Sequence, residues 1–287
     1  MTTVPAHGSA PAHGPHGPAP AHYRAAAHYR AARDSALIAG RNLRVLRKNP
    51  GRMIYPLVQP LVLLVMFVSV FGNLAITGHA GGSSGTYREF LIPGIIIENA
   101  ALTAPTTGLA LLRDASSGLA DRFRSLPMAR VAVLAGRLAS DALVFAAQAV
   151  LLLALATLLG FHVRHGLAGL AAITAVTTAF AVGVAVLSAW LALLISDPEA
   201  AARVLFFPAI ALAFVSSAFA PVADLVGWMQ PVARVNPVTA AAAVIRSVAS
   251  GDPASPLAAP LLAFGCWTAA LVLVPGALAA RRWQAAR

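Results

Sequence analysis

The chain has 287 residues, of which 59% are hydrophobic and 11% charged, and its mean hydropathy is +0.75. Soluble domains are nearer 45–50% apolar and about 25% charged, so composition excludes an ordinary soluble protein. The net charge of +11 would suit nucleic acid if it were clustered on one face. The basic residues instead lie between apolar stretches, so we expect a membrane protein with no nucleic-acid partner.

Residues 1–32 are a low-complexity stretch of Ala, Pro, His and Gly. We expect a disordered tail, because such a segment cannot bury enough apolar surface to offset its ordering entropy. Five of the eight histidines lie here. They raise a metal-binding tail as an alternative, but no carboxylate or cysteine accompanies them, and we predict no metal site. The first long apolar run begins near Met53, so no N-terminal signal peptide is expected.

Residues 34–49 are predicted to form an amphipathic helix on which Arg41, Arg44 and Lys48 share one face. Pro50 ends it. A basic helix beside an apolar span suits an anionic cytoplasmic membrane surface. The alternative is a plain solvated linker.

Two residue types are informative because they are scarce. Lys48 is the only lysine and follows Arg47 rather than Gly, so the chain lacks the Gly-Lys-Ser/Thr of a phosphate-binding loop. We therefore predict a non-enzymatic chain without its own ATPase site. Cys266 is the single cysteine, which excludes an internal disulfide and a cysteine-based zinc site. Its apolar surroundings predict a buried side chain.

Six apolar stretches are long enough to cross a bilayer as helices, which need about 20 residues each. They are 53–76, 90–112, 131–161, 167–195, 204–220 and 257–280. The fold class is therefore an all-α membrane protein, because lipid leaves backbone groups no partners outside helices or closed barrels. Prolines are expected to kink or end turns at positions 56, 60, 93, 105, 208, 260 and 275.

The basic residues predict the orientation. With a cytoplasmic N-terminus and six alternating spans, 17 of the 21 Lys and Arg residues fall on the inner side and four on the outer. This bias follows the positive-inside rule. We expect a multi-pass protein of the bacterial cell membrane with both termini in the cytoplasm.

The inner loop between spans 2 and 3 carries an apolar stripe of Leu119, Phe123 and Leu126 at helical spacing, flanked by Arg122 and Arg124. An apolar anchor with a charged rim is typical of a helix that docks into a partner's groove. The alternative is an interfacial helix that rests on lipid.

Charges inside spans are costly and indicate function. Glu98 lies within span 2, and our hypothesis is that it lines a substrate path and favours cationic or hydroxylated drugs. The alternative is a structural hydrogen bond within the bundle. Arg137 and Asp141 are spaced i, i+4, which predicts an ion pair or a gating element.

Thr103, Thr106 and Thr107 surround Pro105. They are candidates for path lining. The alternative is that their hydroxyls satisfy carbonyls that the proline leaves free.

Three motifs carry a resemblance to a known family. They are Tyr-Arg-Glu-Phe-Leu-Ile-Pro-Gly at 87–94, Asp-Arg-Phe-Arg-Ser-Leu-Pro-Met at 121–128 with Arg130, and Asn-Pro-Val-Thr at 236–239 with Arg246 and Gly251. With these the chain resembles the permease subunit of ABC type-2 exporters, in particular the daunorubicin-resistance branch of actinobacteria. The resemblance covers roughly residues 34–282, outside the tail, so we divide the chain into residues 1–32 and a transmembrane domain over 33–287.

The resemblance implies two permease subunits, identical or different, with six helices each, and a separate ATP-binding subunit that holds ATP and Mg. Residues 114–126 would be the coupling helix, residues 34–49 the connecting helix and residues 221–250 paired short outer helices before the last span. The implied contacts with the ATPase subunit are Leu119, Asp121, Arg122, Phe123, Arg124 and Leu126.

The resemblance also places spans 1, 2 and 5 near the dimer interface and the substrate route. Further path candidates are then Gln59, Asn99, Ser216 and Ser217. The predicted function is ATP-driven export of amphipathic drugs or hydrophobic metabolites. The alternatives are export of lipid or polysaccharide by the same family, or a proton-coupled secondary transporter in which Glu98 carries the proton.

Overall fold

The computed structural model of the protein describes residues 51–71, 75–76, 85–116, 130–195, 197–251 and 257–285. Its helices are α1 (Gly51–Phe71), α2 (Tyr87–Thr103), α3 (Thr106–Ser116), α4 (Arg130–Leu158), α5 (Gly166–Ala192), α6 (Pro198–Phe214), α7 (Met229–Arg234), α8 (Pro237–Ser250) and α9 (Ala258–Ala285). Two-residue strands β1 (Ala75–Ile76) and β2 (Gly85–Thr86) pair antiparallel. The predicted tail, the helix over 34–49 and the stripe over 119–126 lie outside the described residues.

The helical class predicted from composition is confirmed, and each of the six predicted spans coincides with described helix. Four stretches of described helix are long and apolar enough to cross a membrane: Tyr87–Asp114, Ala135–Leu158, Gly166–Ala192 and Ala258–Leu278. The other two predicted spans correspond to the shorter helices α1 and α6. The number of crossings remains a prediction.

The predicted bounds of the first and fifth spans were wrong, and the helix of the fifth span also ends early, at Phe214. The first span was predicted to reach residue 76, but α1 ends at Phe71 and residues 75–76 belong to β1. The fifth was predicted over 204–220, but α6 begins six residues earlier, because the Asp197 side chain accepts hydrogen bonds from the first-turn amides of Glu199 and Ala200. Asp197 is thus an N-cap that the hydropathy pattern does not show.

Helix α2 occupies the centre of the bundle. Helices α1, α4, α5, α6 and α8 all pack against it, and every residue from Phe90 to Ala101 is buried. Gly94 makes this packing possible, because a Cβ at that position would overlap the Ala218 backbone. The sequence places α2 second along the chain, but only the packing makes it the core of the bundle.

Pro105 separates α2 from α3. Pro105 has no amide hydrogen to donate. Helix α2 ends at Thr103, just before Ala104 and Pro105, and α3 begins at Thr106, just after them. Thr106 Oγ1 donates to the Thr103 carbonyl at 2.6 Å, so a threonine hydroxyl satisfies a carbonyl at the break, as one of the two interpretations predicted. The other six prolines singled out from the sequence lie inside helices that continue past them.

The segment after α6 folds into short helices. Residues 222–224 form a 3-10 turn, followed by α7 and α8. Asn236 orders this segment: its Oδ1 accepts from the Val238 amide, and its Nδ2 donates to the Leu212 and Val215 carbonyls at 2.8 and 2.7 Å. The asparagine therefore ties the start of α8 to the end of α6.

The last helix lies at the edge of the bundle. Helix α9 packs against α5 and α8, and as far as Leu278 its remaining faces are mostly apolar and exposed in the single chain. Cys266 lies on one of these faces, so the prediction of a buried thiol was wrong. An apolar run predicts burial from water, which a lipid-facing surface satisfies without protein contact.

Candidate functional site

A cleft lies at the junction of α1, α2 and the middle of α6, beside the buried carboxyl group of Glu98. Its volume is about 210 Å³. It is lined by Gln59, Pro60, Glu98, Asn99, Leu102, Thr103, Thr106 and Phe206. Five of the side chains proposed from the sequence to line a path therefore share one cleft, although they come from two separate apolar stretches.

Glu98 is the charged group of this cleft. Its side chain is 0% exposed, and Oε1 accepts a hydrogen bond from Gln59 Nε2 at 3.4 Å. The second oxygen, Oε2, is buried and has no hydrogen-bond partner among the described residues. A carboxylate oxygen removed from water without a donor is costly. The bond to Gln59 is the structural hydrogen bond within the bundle that one hypothesis predicted. The unpartnered oxygen suits the other hypothesis, in which Glu98 lines a substrate path.

The remaining polar groups of the cleft lie one helical turn apart. Thr103 Oγ1 donates to Asn99 Oδ1 at 3.4 Å, and Thr106 bonds to the Thr103 carbonyl at the helix break. Asn99 and Thr103 are buried, whereas Thr106 is exposed. The cleft therefore has a polar strip along α2 and the start of α3, to which Gln59 of α1 adds, and its apolar lining comes from Pro60, Leu102 and Phe206.

The structure places the other three path candidates elsewhere. Thr107 Oγ1 donates to Asp141 Oδ2 on α4 at 2.8 Å. Ser216 Oγ donates to the Ala213 carbonyl at 2.6 Å and accepts from the Ala218 amide. Ser217 accepts from Arg246 NH1 at 3.1 Å. Their hydroxyls are engaged in contacts that hold helices and turns together.

Arg246 was named from the sequence only as part of the third family motif, and its contacts within the bundle were not predicted. It extends from α8 into the bundle, where Nε donates to the Phe90 carbonyl at 3.0 Å and NH2 to the Ser217 carbonyl at 2.6 Å. Its guanidinium also lies over the Phe90 ring, 3.7 Å from the ring centre. A lone arginine in an otherwise apolar helix was the available signal, but the sequence analysis assigned this arginine only to a short outer helix.

A second charged group joins α3 to α4. Arg137 NH1 donates to Asp114 Oδ2 at 2.8 Å, and Arg137 Nε lies 3.6 Å from Asp141 Oδ2. The predicted i, i+4 ion pair is therefore confirmed. Asp114 was not predicted to join it, because its partner is 23 residues away along the chain.

Four stretches of described helix that are long and apolar enough to cross a membrane, packed in one bundle, indicate the class of this chain: a multi-pass membrane protein. Residues 35–249 match the ABC-2 type transporter family. The chain belongs to this family of ABC transporter permeases, and a permease of this kind implies a partner ATP-binding subunit.

Named relatives agree with this assignment. A daunorubicin resistance ABC transporter permease protein of Streptomyces coeruleorubidus is 29% identical over 233 residues, which cover 81% of this chain and 77% of the relative. A probable doxorubicin resistance ABC transporter permease protein, found in two strains of Mycobacterium tuberculosis, is 30% identical over 220 residues and covers 76% of each chain. The resemblance inferred from the three sequence motifs is confirmed.

Proposed function

We propose that this chain is the membrane-spanning subunit of an ATP-driven exporter of amphipathic drugs or hydrophobic metabolites. The observation that carries the proposal is the match of residues 35–249 to the ABC-2 type transporter family. The drug-resistance names of its relatives supply the substrate type. ATP and Mg are held by a separate subunit, in keeping with the missing phosphate-binding loop.

The substrate path runs past the cleft that contains Glu98. Of the eight path candidates, we retain the five that line this cleft: Gln59, Glu98, Asn99, Thr103 and Thr106. Thr107, Ser216 and Ser217 act as structural groups in this proposal, since their hydroxyls bond to other parts of the bundle.

A second permease subunit, identical or different, covers the open side of the cleft. Gln59 is exposed in the single chain, and an exposed amide in the middle of an apolar helix would be costly in lipid. Val62 on α1 and Phe207 on α6 are also exposed there. A subunit interface along α1 and α6 would remove the Gln59 amide from lipid, and the apolar side chains beside it would pack within that interface.

The segment between α3 and α4 receives the motion of the ATPase subunit. Its six contact residues, from Leu119 to Leu126, lie between helices that Asp114 and Arg137 hold together. Both termini and this segment lie in the cytoplasm, and six helices cross the membrane. ATP binding brings the two coupling segments together and switches access to the cleft from one side to the other.

The test uses inverted membrane vesicles that contain this chain and a co-expressed ATP-binding subunit. ATP-dependent uptake of a fluorescent amphipathic drug is expected, and Phe123→Asp should abolish uptake and co-purification of the ATPase subunit. Ser125→Asp adds the same charge off the apolar stripe and should preserve both. Uptake that continues without ATP and collapses with the proton gradient would contradict the proposal in favour of a secondary transporter.

Orientation is tested separately in intact cells, in a Cys266→Ala background, with a membrane-impermeant thiol reagent. Arg122→Cys should be protected and Arg234→Cys labelled. Labelling of the cysteine at position 122 from outside would overturn the proposed topology.

A further inference from the structure

One carboxyl oxygen of Glu98, beside the cleft, lacks a hydrogen-bond donor among the described residues. Glu98 Oε1 has the Gln59 amide, but Oε2 is buried without a donor among the described residues. A buried carboxylate is costly unless its oxygens find donors or a cation. Glu98 is among the residues that line the cleft, so a ligand held there would lie beside this carboxyl group.

The character of that ligand follows from the other walls of the cleft. No lysine or arginine lines it in the part of the chain that the structure describes, so no basic side chain of the lining would balance a negative charge on Glu98. Asn99 and Thr103 contribute further oxygen acceptors beside it. Phe206 of α6 contributes an aromatic ring to the lining. Carboxylate, hydroxyl and amide oxygens together with a ring suit a cation that carries hydrogen-bond donors.

The size of the cleft limits how much of a ligand it can hold. Its volume is about 210 Å³, whereas pockets for whole drug-sized ligands usually enclose roughly 300–1,000 Å³. The cleft therefore fits a head group with its attached carbons. Val62 lies one turn along α1 from Gln59, and Phe207 follows Phe206 on α6; both are exposed and apolar. The body of an amphipathic ligand can lie against this surface, between it and the second permease subunit of the proposed assembly.

We propose that the cleft is a head-group site for the protonated amine of an amphipathic substrate. The ammonium donates to Glu98 Oε2 and to the oxygens of Asn99 or Thr103, and Phe206 packs against its charge. A hydroxyl group would offer a donor without the charge and gain less from the carboxylate. This inference rests on the proposed export function and narrows its substrate class to amines.

The test measures binding rather than transport, so it needs neither ATP nor the ATP-binding subunit. The full chain in lipid nanodiscs is titrated with 2-(1-naphthyl)ethylamine and with its uncharged N-acetyl derivative, and empty nanodiscs correct for partition into lipid. The wild-type chain is expected to bind the amine about tenfold more tightly than the acetylated compound, a difference of roughly 1.4 kcal/mol.

Glu98→Gln keeps the shape of the side chain and should remove this preference by weakening amine binding about tenfold, with little effect on the acetylated compound. Glu89→Gln is the matched control: it makes the same change on α2, at an exposed position outside the cleft, and should leave the preference intact. Glu98→Asp retains the carboxyl group and should keep the amine preferred.

Equal binding of the two compounds by the wild-type chain would overturn the proposal, and this measurement depends on no variant. The proposal would also be overturned if Glu98→Gln weakened the binding of both compounds equally, because that result would indicate a structural role for Glu98. Should Glu98→Gln fail to accumulate, a Glu98→Asp chain that binds both compounds equally would also overturn it. Amine preference without ATP-dependent uptake would contradict the export function and leave the head-group site in place.

Discussion

Arg137 on α4 donates a 2.8 Å hydrogen bond to Asp114 on α3 and so joins the two helices that flank residues 117–129. Asp141 lies against the same guanidinium and also accepts from Thr107. The four side chains connect the end of the α2–α3 pair to the start of α4. A movement of the intervening segment would therefore reach both helices together.

We expect Arg137→Gln to weaken this connection and to reduce ATP-dependent transport several-fold. The side chain is partly exposed, so the stability loss should be modest, about 1 kcal/mol. Transport in vesicles and the melting temperature of the purified chain measure the two effects. The exchange Asp114→Arg with Arg137→Asp should recover part of the loss. Arg203→Gln, at an exposed position on α6, is the control. If it reduced transport as much as Arg137→Gln, the role given to the contact between Arg137 and Asp114 would be contradicted.

Arg246 should be required for the packing of α8. It bonds to the carbonyls of Phe90 and Ser217 and to the Ser217 hydroxyl, and lysine cannot reproduce these forked contacts. We predict that Arg246→Lys and Arg246→Gln destabilise the chain by about 2 kcal/mol or more. Thermal unfolding in detergent measures this. Arg234→Lys changes an exposed arginine of the same segment and should melt like the wild type; a wild-type melting temperature for Arg246→Gln would refute the prediction.

Gly94 should not tolerate even a methyl group. Its Cβ would overlap the Ala218 backbone, which cannot give way as a side chain tip can. We expect Gly94→Ala to cost about 2 kcal/mol or more, seen as a lower melting temperature and lower yield. Gly265→Ala on α9 is the matched control, because nothing lies within 4 Å of its Cβ position. Gly265→Ala should be neutral or slightly stabilising. An equal loss of stability in the two variants would contradict the close packing of Gly94 against Ala218.

The cleft could be predicted only in part. Glu98 was identified because a carboxyl group within an apolar span is rare and costly, and Thr106 because proline removes a backbone donor. Gln59 and Asn99 were weaker candidates that followed from a family resemblance. Nothing in the pattern placed Phe206 beside them, because a phenylalanine in a lipid-crossing stretch has the same hydropathy whether it faces lipid or a cleft.

The sequence by itself determined the helical class, the approximate place of each apolar helix, the break at Pro105 and the family, because these depend on local hydropathy, backbone chemistry and short motifs. Only the tertiary structure decided that α2 is the buried centre, that Gln59 reaches Glu98 and that Arg246 binds the carbonyls of Phe90 and Ser217. In an apolar helix every face has similar hydropathy, so the sequence does not show which face packs against other helices. Which face meets protein depends on close packing between residues that are 39 and 156 positions apart.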